Sequence, residues 1–135
     1  NNLVTFAGDF SYIFHMDITG ALGIFSTWAG VNASQGLQKR SSNILNFRSI
    51  EGNDNDFPAY TLTGGFKKYA VIKEGTVGKL YVDGVLVSTI ATLTGTFTNY
   101  NTLFGNSFGS PAYKIKSFYS IDRALTDAEA IDETT

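Results

Sequence analysis

The side chains in this sequence that are suited to chemistry are aromatic rings and planar polar groups. A sugar is bound through the apolar face of its ring and through its hydroxyls, so a saccharide site needs a flat aromatic residue beside amides, carboxylates or a guanidinium. Trp28, Tyr60 and Tyr100 are the aromatic residues that strand alternation or loop position leaves available for this role. Polar residues in the same or adjacent segments are Asn32, Gln35, Arg48, Asp56, Asn99 and Asn106. We therefore predict ligand binding at these residues, with packing and turn formation as the alternative role of each.

Hydrolysis of a glycosidic bond requires two carboxyl groups that face the same bond. Glu51, Asp54 and Asp56 fall in a stretch rich in Asn and Gly, whereas Glu74 and Glu129 are isolated at a turn and at a helix start. His15 lies in the middle of a predicted strand, and no Ser or Cys nucleophile stands in a recognisable motif. We interpret His15 as a structural residue and predict no catalytic site.

A metal site is the closer alternative. Residues 53–56 read Asn-Asp-Asn-Asp and offer the hard oxygen ligands that Ca²⁺ takes. The run lacks the EF-hand spacing that ends in a bidentate Glu, and Asn and Asp also satisfy turns locally. We therefore interpret the run as a solvated turn and predict no cofactor, with Ca²⁺ bound by Asp54 and Asp56 as the alternative.

Composition bounds the partners of the chain. With 135 residues, a formal charge of −2 and 16% charged residues, the sequence has no basic stripe that could neutralise phosphates, so nucleic acid is a poor partner. Zero cysteines exclude disulfides and thiolate chemistry without identifying the compartment. No apolar run is long enough to span a bilayer, and no charged and hydrophobic leader stands at Asn1. We expect one domain, residues 1–135, excised from a longer protein.

Alternation of apolar and polar residues predicts the strands. Residues 10–18 place five apolar side chains on one face, and residues 24–31, 44–50 and 66–73 continue the pattern. In the second of these strands we assign Phe25, Thr27, Ala29 and Val31 to the core, so that Trp28 faces outward. Residues 32–43 and 51–56 are predicted as polar surface loops. Pro58 predicts the entry to a short strand through Tyr60 and Leu62, and residues 92–101 are predicted as an ordered loop with an edge segment.

Two local motifs are more specific. Asp83-Gly84 lies between two apolar-rich runs and predicts a hairpin turn with positive φ at both central positions. Thr126 and Glu129 form a capping-box pattern, which predicts one short helix from Asp127 to about Ile131.

The C-terminal half carries a resemblance to a known family. Residues 80–84 (Leu-Tyr-Val-Asp-Gly), residues 103–105 (Leu-Phe-Gly) and the run from Ile115 through Ile121-Asp-Arg-Ala-Leu-Thr-x-x-Glu129 resemble laminin-G-like domains of the concanavalin-A-like lectin and glucanase superfamily. The resemblance implies an all-β, two-sheet antiparallel jelly-roll sandwich, and some such domains bind calcium through loop Asp and Asn residues. Residues 66–71 depart from the Trp and His that the family usually has there, and Tyr113 replaces a frequent Gly. Retaining glucanases of this superfamily carry carboxylates that alternate on one strand, a run that this sequence lacks.

Together these observations predict a non-catalytic carbohydrate-binding or adhesion module that recognises a cell-surface or cell-wall saccharide. We expect Trp28 to be the residue on which binding depends most, and the partners to be a polysaccharide and other domains of a larger secreted or virion-borne protein. Richness in Gly, Asn, Thr and aromatic residues is also typical of phage tail or baseplate proteins. A protein–protein interaction or spacer module, and a degenerate glycoside hydrolase, are the alternatives.

Overall fold

The computed structural model describes residues 8–18, 22–23, 25–28, 34–39, 43–49, 51–97, 102–103 and 113–135. Within these ranges the chain forms antiparallel strands and one helix. In chain order the elements are β1 (Phe10–Ile18), β2 (Leu22–Gly23), β3 (Phe25–Trp28), β4 (Ser34–Lys39), β5 (Leu45–Arg48), β6 (Asp54–Asp56), β7 (Phe66–Glu74), β8 (Val77–Val82), β9 (Val85–Ile90), β10 (Thr102–Leu103), β11 (Tyr113–Ile121) and α1 (Asp127–Thr134).

The strands are arranged in two sheets that enclose the main core. The first sheet has the order β11-β1-β7-β8-β9, and the second has the order β10-β3-β4-β5-β6, with β2 also paired to β4. Alternate residues of β1 are fully or almost fully buried and meet the second sheet, as in the edge-on contact of the Phe10 and Phe47 rings at 5.9 Å. The predicted all-β antiparallel sandwich with one short helix is therefore confirmed.

The first sheet is covered on its outer face as well. Ile13, Ala70, Ile72 and Tyr81 form a second apolar cluster with residues of the C-terminal segment, Leu125 and Ala130. The alternation of β1 predicted a half-buried strand with a polar outer face, but Ser11 is fully buried and Ile13 is 4% exposed. The prediction of a half-buried strand was wrong for the first half of β1, because the C-terminal segment that carries Leu125 and Ala130 covers its outer face.

The C-terminal helix begins at the predicted capping box. The backbone N–H of Glu129 donates to the Thr126 side chain, and the Glu129 carboxylate accepts from the Thr126 backbone. Both Nη atoms of Arg123 also donate to that carboxylate, at 2.9 and 2.7 Å. The hydrogen bond from Arg123, followed by those from Thr126, lowers the pKa of Glu129 to about 2. The helix continues to Thr134, three residues beyond the predicted end.

The Asp83-Gly84 hairpin is confirmed. The two residues have φ of 47° and 80° and connect Val82 to Val85, which pair across the hairpin. The Gly84 N–H donates to Thr134 Oγ1 at 3.1 Å, so the turn is attached to the last turn of α1.

Gly84→Val is expected to lower the free energy of unfolding by about 1 to 3 kcal/mol, because a β-branched residue is strained at positive φ. A Cβ at this position would also lie 2.9 Å from Thr135 Oγ1. Urea unfolding of the variant and the parent measures the difference. An unchanged unfolding midpoint would contradict the hairpin geometry.

Three loop and strand predictions were wrong. Residues 34–39 form β4 in the middle of the second sheet, where Leu37 is fully buried, instead of lying in a surface loop. Residues 54–56 form the short strand β6. Conversely, residues 57–65 form no strand, although Leu62 reaches the core and its N–H donates to Asn43 O at 2.7 Å. In the predicted loop at residues 92–101, the part up to residue 97 is described and is a loop that buries Leu93 and Phe97.

Candidate functional site

Alternate residues of β5 and β6 face away from the core of the sandwich. Leu45 and Phe47 are buried in the main core, and the residues between and after them occupy the opposite face. In register, Asn46 lies opposite Asp56 and Arg48 lies opposite Asp54. We call these four residues, Asn46, Arg48, Asp54 and Asp56, the outer row.

The members of the outer row are joined in two cross-strand pairs. Asn46 Nδ2 donates to Asp56 Oδ1 at 2.8 Å, and Arg48 Nη1 lies 3.3 Å from Asp54 Oδ1. The side chains of Arg48 and Asp54 are 31% and 35% exposed, so this pair is open to solvent. Each carboxylate of the outer row is thus held by a donor from the neighbouring strand.

Two polar atoms of the outer row are buried without a hydrogen-bond partner. These are Asn46 Oδ1 and Arg48 Nε, which lack a partner within the part of the chain that the structure describes. A buried polar atom without a partner costs about 1 to 3 kcal/mol, so such atoms need an explanation in a water, an ion or a ligand. One acceptor and one donor thus lie buried beside the two exposed carboxylates of β6.

The backbone register relates two further predicted residues to this row. Trp28 of β3 lies opposite Ser34 of β4, two residues before Gly36, which lies opposite Arg48. Trp28 and Arg48 therefore lie on two strands that both pair with β4. Gln35 of β4 lies opposite Thr27 of β3.

The other predicted ligand-binding residues are placed elsewhere or lie outside the described residues. Tyr60 is half-buried and packs against the core between the sheets, away from the outer row. Asn32, Asn99, Tyr100 and Asn106 lie outside the described residues. Arg48 and Asp56 are therefore the two predicted residues whose side chains the structure brings together.

Asn46 was missed as a site residue although its signal was present. It alternates with Leu45 and Phe47 in the sequence, and a polar residue in this position belongs to the face opposite the core. Its pairing with Asp56 depends on the register of β5 with β6, and β6 was interpreted as part of a loop.

The run at residues 53–56 is a strand with a buried centre instead of a solvated turn. Asn55 is 5% exposed, whereas Asp54 and Asp56 point to solvent and accept from Arg48 and Asn46. Among the residues that the structure describes, no three His, Cys, Asp or Glu side chains are grouped to hold a metal ion. The absence of a cofactor stays a prediction, with Ca²⁺ bound by Asp54 and Asp56 as its alternative.

No helix in the described ranges combines the length and apolar character that crossing a membrane requires.

The sequence matches no protein-family model and no curated protein. Solved structures do match in three dimensions. Trypanosoma rangeli sialidase in complex with the inhibitor DANA matches with a TM-score of 0.62 and 13% identity over 93% of this chain and 22% of the sialidase chain. This chain thus spans about a fifth of the length of that enzyme.

Two matches cover more of the compared chain. Domain 4 of AbnA, a GH43 extracellular arabinanase from Geobacillus stearothermophilus solved with arabinotriose, has a TM-score of 0.66 and 16% identity over 99% of this chain and 69% of that one. The CBM40 of a Ruminococcus gnavus IT-sialidase, bound to α2,3-sialyllactose, has a TM-score of 0.65 and 17% identity over 95% of this chain and 83% of that one. At this identity the likeness establishes a shared β-sandwich fold.

Proposed function

We propose that this chain is a non-catalytic carbohydrate-binding module and that the outer row contributes to its saccharide site. The observation that carries the proposal is the pair of buried, unpartnered atoms, Asn46 Oδ1 and Arg48 Nε, on a sheet face with two exposed carboxylates. Sugar hydroxyls both donate and accept hydrogen bonds, so they suit a face that offers acceptors and a guanidinium donor together.

The arrangement supports binding at a small entropic cost. Asp54 and Asp56 are attached to a strand and are further held by Arg48 and Asn46, so little side-chain freedom would be lost on association. We propose that Trp28, on a strand that pairs with β4 as β5 does, supplies the aromatic surface against the apolar side of a sugar ring.

The structural neighbours support the proposal by analogy. Two of them are domains solved with arabinotriose and with sialyllactose, and their sandwich is the one found here. We also propose that the chain is related to laminin-G-like domains, as its C-terminal motifs suggest. We further propose that residues 1–135 are one module of a longer secreted or virion-borne protein, whose partner is a polysaccharide.

A glycan array of the 135-residue chain, followed by calorimetry with the best ligand, tests the function. Arg48→Ala is expected to weaken binding about tenfold or more, because a hydrogen bond to a charged group is worth about 1.5 to 3 kcal/mol. Trp28→Ala is expected to remove most of the remaining binding with little change in melting temperature. Lys73→Ala, which removes the same charge from the first sheet, is the matched control and should bind as the parent does.

Two outcomes would contradict the proposal. Absence of binding across the array would favour a spacer or protein-interaction module. A loss of about 3 to 5 kcal/mol of stability in Trp28→Ala would show that the indole is packed inside the fold and is no part of a site.

A degenerate hydrolase is the second candidate, and one observation bears on it. Asp54 and Asp56 stand two residues apart on one face of β6, about 7 Å along the strand, which is within the range of carboxyl separations in inverting glycosidases. Each of these carboxylates already accepts a hydrogen bond from β5, Asp54 from Arg48 and Asp56 from Asn46. Release of reducing sugar that is abolished by Asp54→Asn would establish the hydrolase instead.

A further inference from the structure

The outer face of the first sheet carries a groove beside the last turn of α1. Its volume is about 190 Å³, and its lining includes Ile13, His15, Lys68, Ser117, Tyr119 and Glu133. Since a water molecule takes about 30 Å³ in the liquid, the groove holds about six waters, which is the scale of one sugar ring. It lies on the opposite side of the sandwich from the outer row and involves none of the residues in that row.

Lys68 is the lysine that lines the groove, and Lys116 lies near it. No carboxylate in the described part of the chain lies within ion-pair distance of the Lys68 ammonium, and Lys116 Nζ lies 4.3 Å from the centre of the Phe66 ring. Asp83, in the turn after β8, already accepts from Lys67 Nζ at 3.0 Å and from the Lys68 N–H at 2.9 Å.

The pKa of His15, which lies opposite Lys68 on the neighbouring strand, is lowered by its surroundings. Burial lowers its pKa, and the charges of Lys116 and Lys68 lower it further, whereas the opposing effect of Asp83 is smaller. At the His15 imidazole, the charges of Lys116 and Lys68 therefore outweigh that of Asp83.

The acidic residue at the rim is engaged by a neighbour. The Tyr119 hydroxyl donates to Glu133 Oε2. Burial and this hydrogen bond raise the pKa of Tyr119 to about 12, so the phenol remains a neutral donor. Among the described residues, the other carboxylate oxygen of Glu133 accepts no hydrogen bond, so it can accept one from a hydroxyl.

Exposed aromatic rings border the same surface. Phe66 and Tyr119 are each 40% exposed, and the His15 ring meets Phe66 edge-on at 5.6 Å. Large aromatic side chains left open beside polar groups are typical of ligand sites, since each ring gives a flat apolar surface.

We propose that this groove is a second ligand site and that it binds a monosaccharide unit bearing a carboxylate. The ligand carboxylate pairs with the Lys68 ammonium, its ring lies against Tyr119, and its hydroxyls bond to Ser117 and Glu133. The site is independent of the outer row, and its ligand class follows from the uncompensated lysine together with the open aromatic ring.

Nuclear magnetic resonance titration of the 135-residue chain with D-glucuronate, D-glucose and acetate tests the proposal. Glucuronate carries both the ring and the carboxylate, whereas each of the other probes carries one of them. We expect saturable shifts at His15, Ser117 and Tyr119 with glucuronate, and affinities at least about tenfold weaker for glucose and for acetate.

Lys68→Met keeps the apolar stem and removes the charge, and it should weaken glucuronate binding at least about tenfold. Lys73→Met, on the same strand, is the control and should leave the affinity unchanged. Tyr119→Leu should weaken glucuronate while acetate binding stays as in the parent. Equal affinity for glucose and glucuronate, absence of shifts in the groove, or an unaffected Lys68→Met variant would each overturn the proposal. Because the shifts are residue-specific, binding confined to Asn46 and Arg48 would support the outer-row site and refute this one.

Discussion

Asn55→Ala is expected to lower the free energy of unfolding by about 3 to 4 kcal/mol, the largest effect of any substitution considered. Asn55 Nδ2 donates to Phe47 O at 3.1 Å and to Thr94 O at 3.0 Å, and its Oδ1 accepts from the Thr94 N–H at 2.7 Å. Each backbone group that loses its partner while buried costs about 1 to 3 kcal/mol. Urea unfolding measures the total.

The same substitution should release a specific segment. Residues 93–97 are attached to the sandwich by the hydrogen bonds of Asn55 and by the buried side chains of Leu93 and Phe97. Glu51 also accepts from the Thr96 N–H at 2.8 Å. Hydrogen exchange at Thr94 and Thr96 should therefore rise more than elsewhere in the variant. Asn53→Ala is the control, because Asn53 is exposed and its described hydrogen bonds are made by its backbone. It should change the free energy of unfolding by less than about 0.5 kcal/mol. Equal stability of the two variants would contradict the role assigned to Asn55.

Ser11→Ala is expected to lower the free energy of unfolding by about 2 to 3 kcal/mol. Ser11 is fully buried, and its hydroxyl donates to Arg123 O and accepts from the Leu125 N–H, each at 2.9 Å. The variant leaves the Leu125 N–H buried without an acceptor. Because these bonds attach the segment before α1 to β1, thermal unfolding should be accompanied by earlier loss of helical circular dichroism.

Ser120→Ala on the adjacent strand β11 is the matched control for this variant. It removes a hydroxyl from the same sheet without removing a described bond, so its melting temperature should stay close to that of the parent. If Ser11→Ala melted at the same temperature as Ser120→Ala, Ser11 would not be the attachment point of the C-terminal segment.

The parts of the fold that the sequence predicts are those in which a local pattern is sufficient. Strands β1 and β5 alternate, so their faces follow from the order of residues. The Asp83-Gly84 turn and the capping box of Thr126 and Glu129 are local geometries that specific residue types adopt almost regardless of context.

The strands that were missed depend on partners far along the chain. In β4, Leu37 is the one strongly apolar residue among Ser, Gln, Gly and Lys, and β6 consists of Asp54, Asn55 and Asp56. Local propensity is against both segments, and they form strands because β5 offers a ladder of hydrogen-bonding groups on each side.

The candidate site was predicted in part for the same reason. Arg48 was identifiable from the alternation of β5, and Asp56 from its residue type. Their partners Asp54 and Asn46 follow from the register, which a single sequence does not reveal. In the groove on the first sheet, His15 meets Ser117 across β1 and β11, a contact between residues about a hundred positions apart that no local pattern indicates.

The position of β1 also bears on how the chain acquires its structure. β1 lies between β7 and β11 in the first sheet, and Ser11 pairs with Ile121. One edge of β1 therefore stays unpaired until β11 is available. The pairing of β1 with β11 closes a loop of nearly the length of the chain. Closing such a loop is entropically unfavourable before any contact compensates for it, and topologies dominated by distant pairings fold in milliseconds to seconds. During synthesis the edge of β1 stays open until β11 has emerged, which leaves this edge exposed to pairing with a wrong strand.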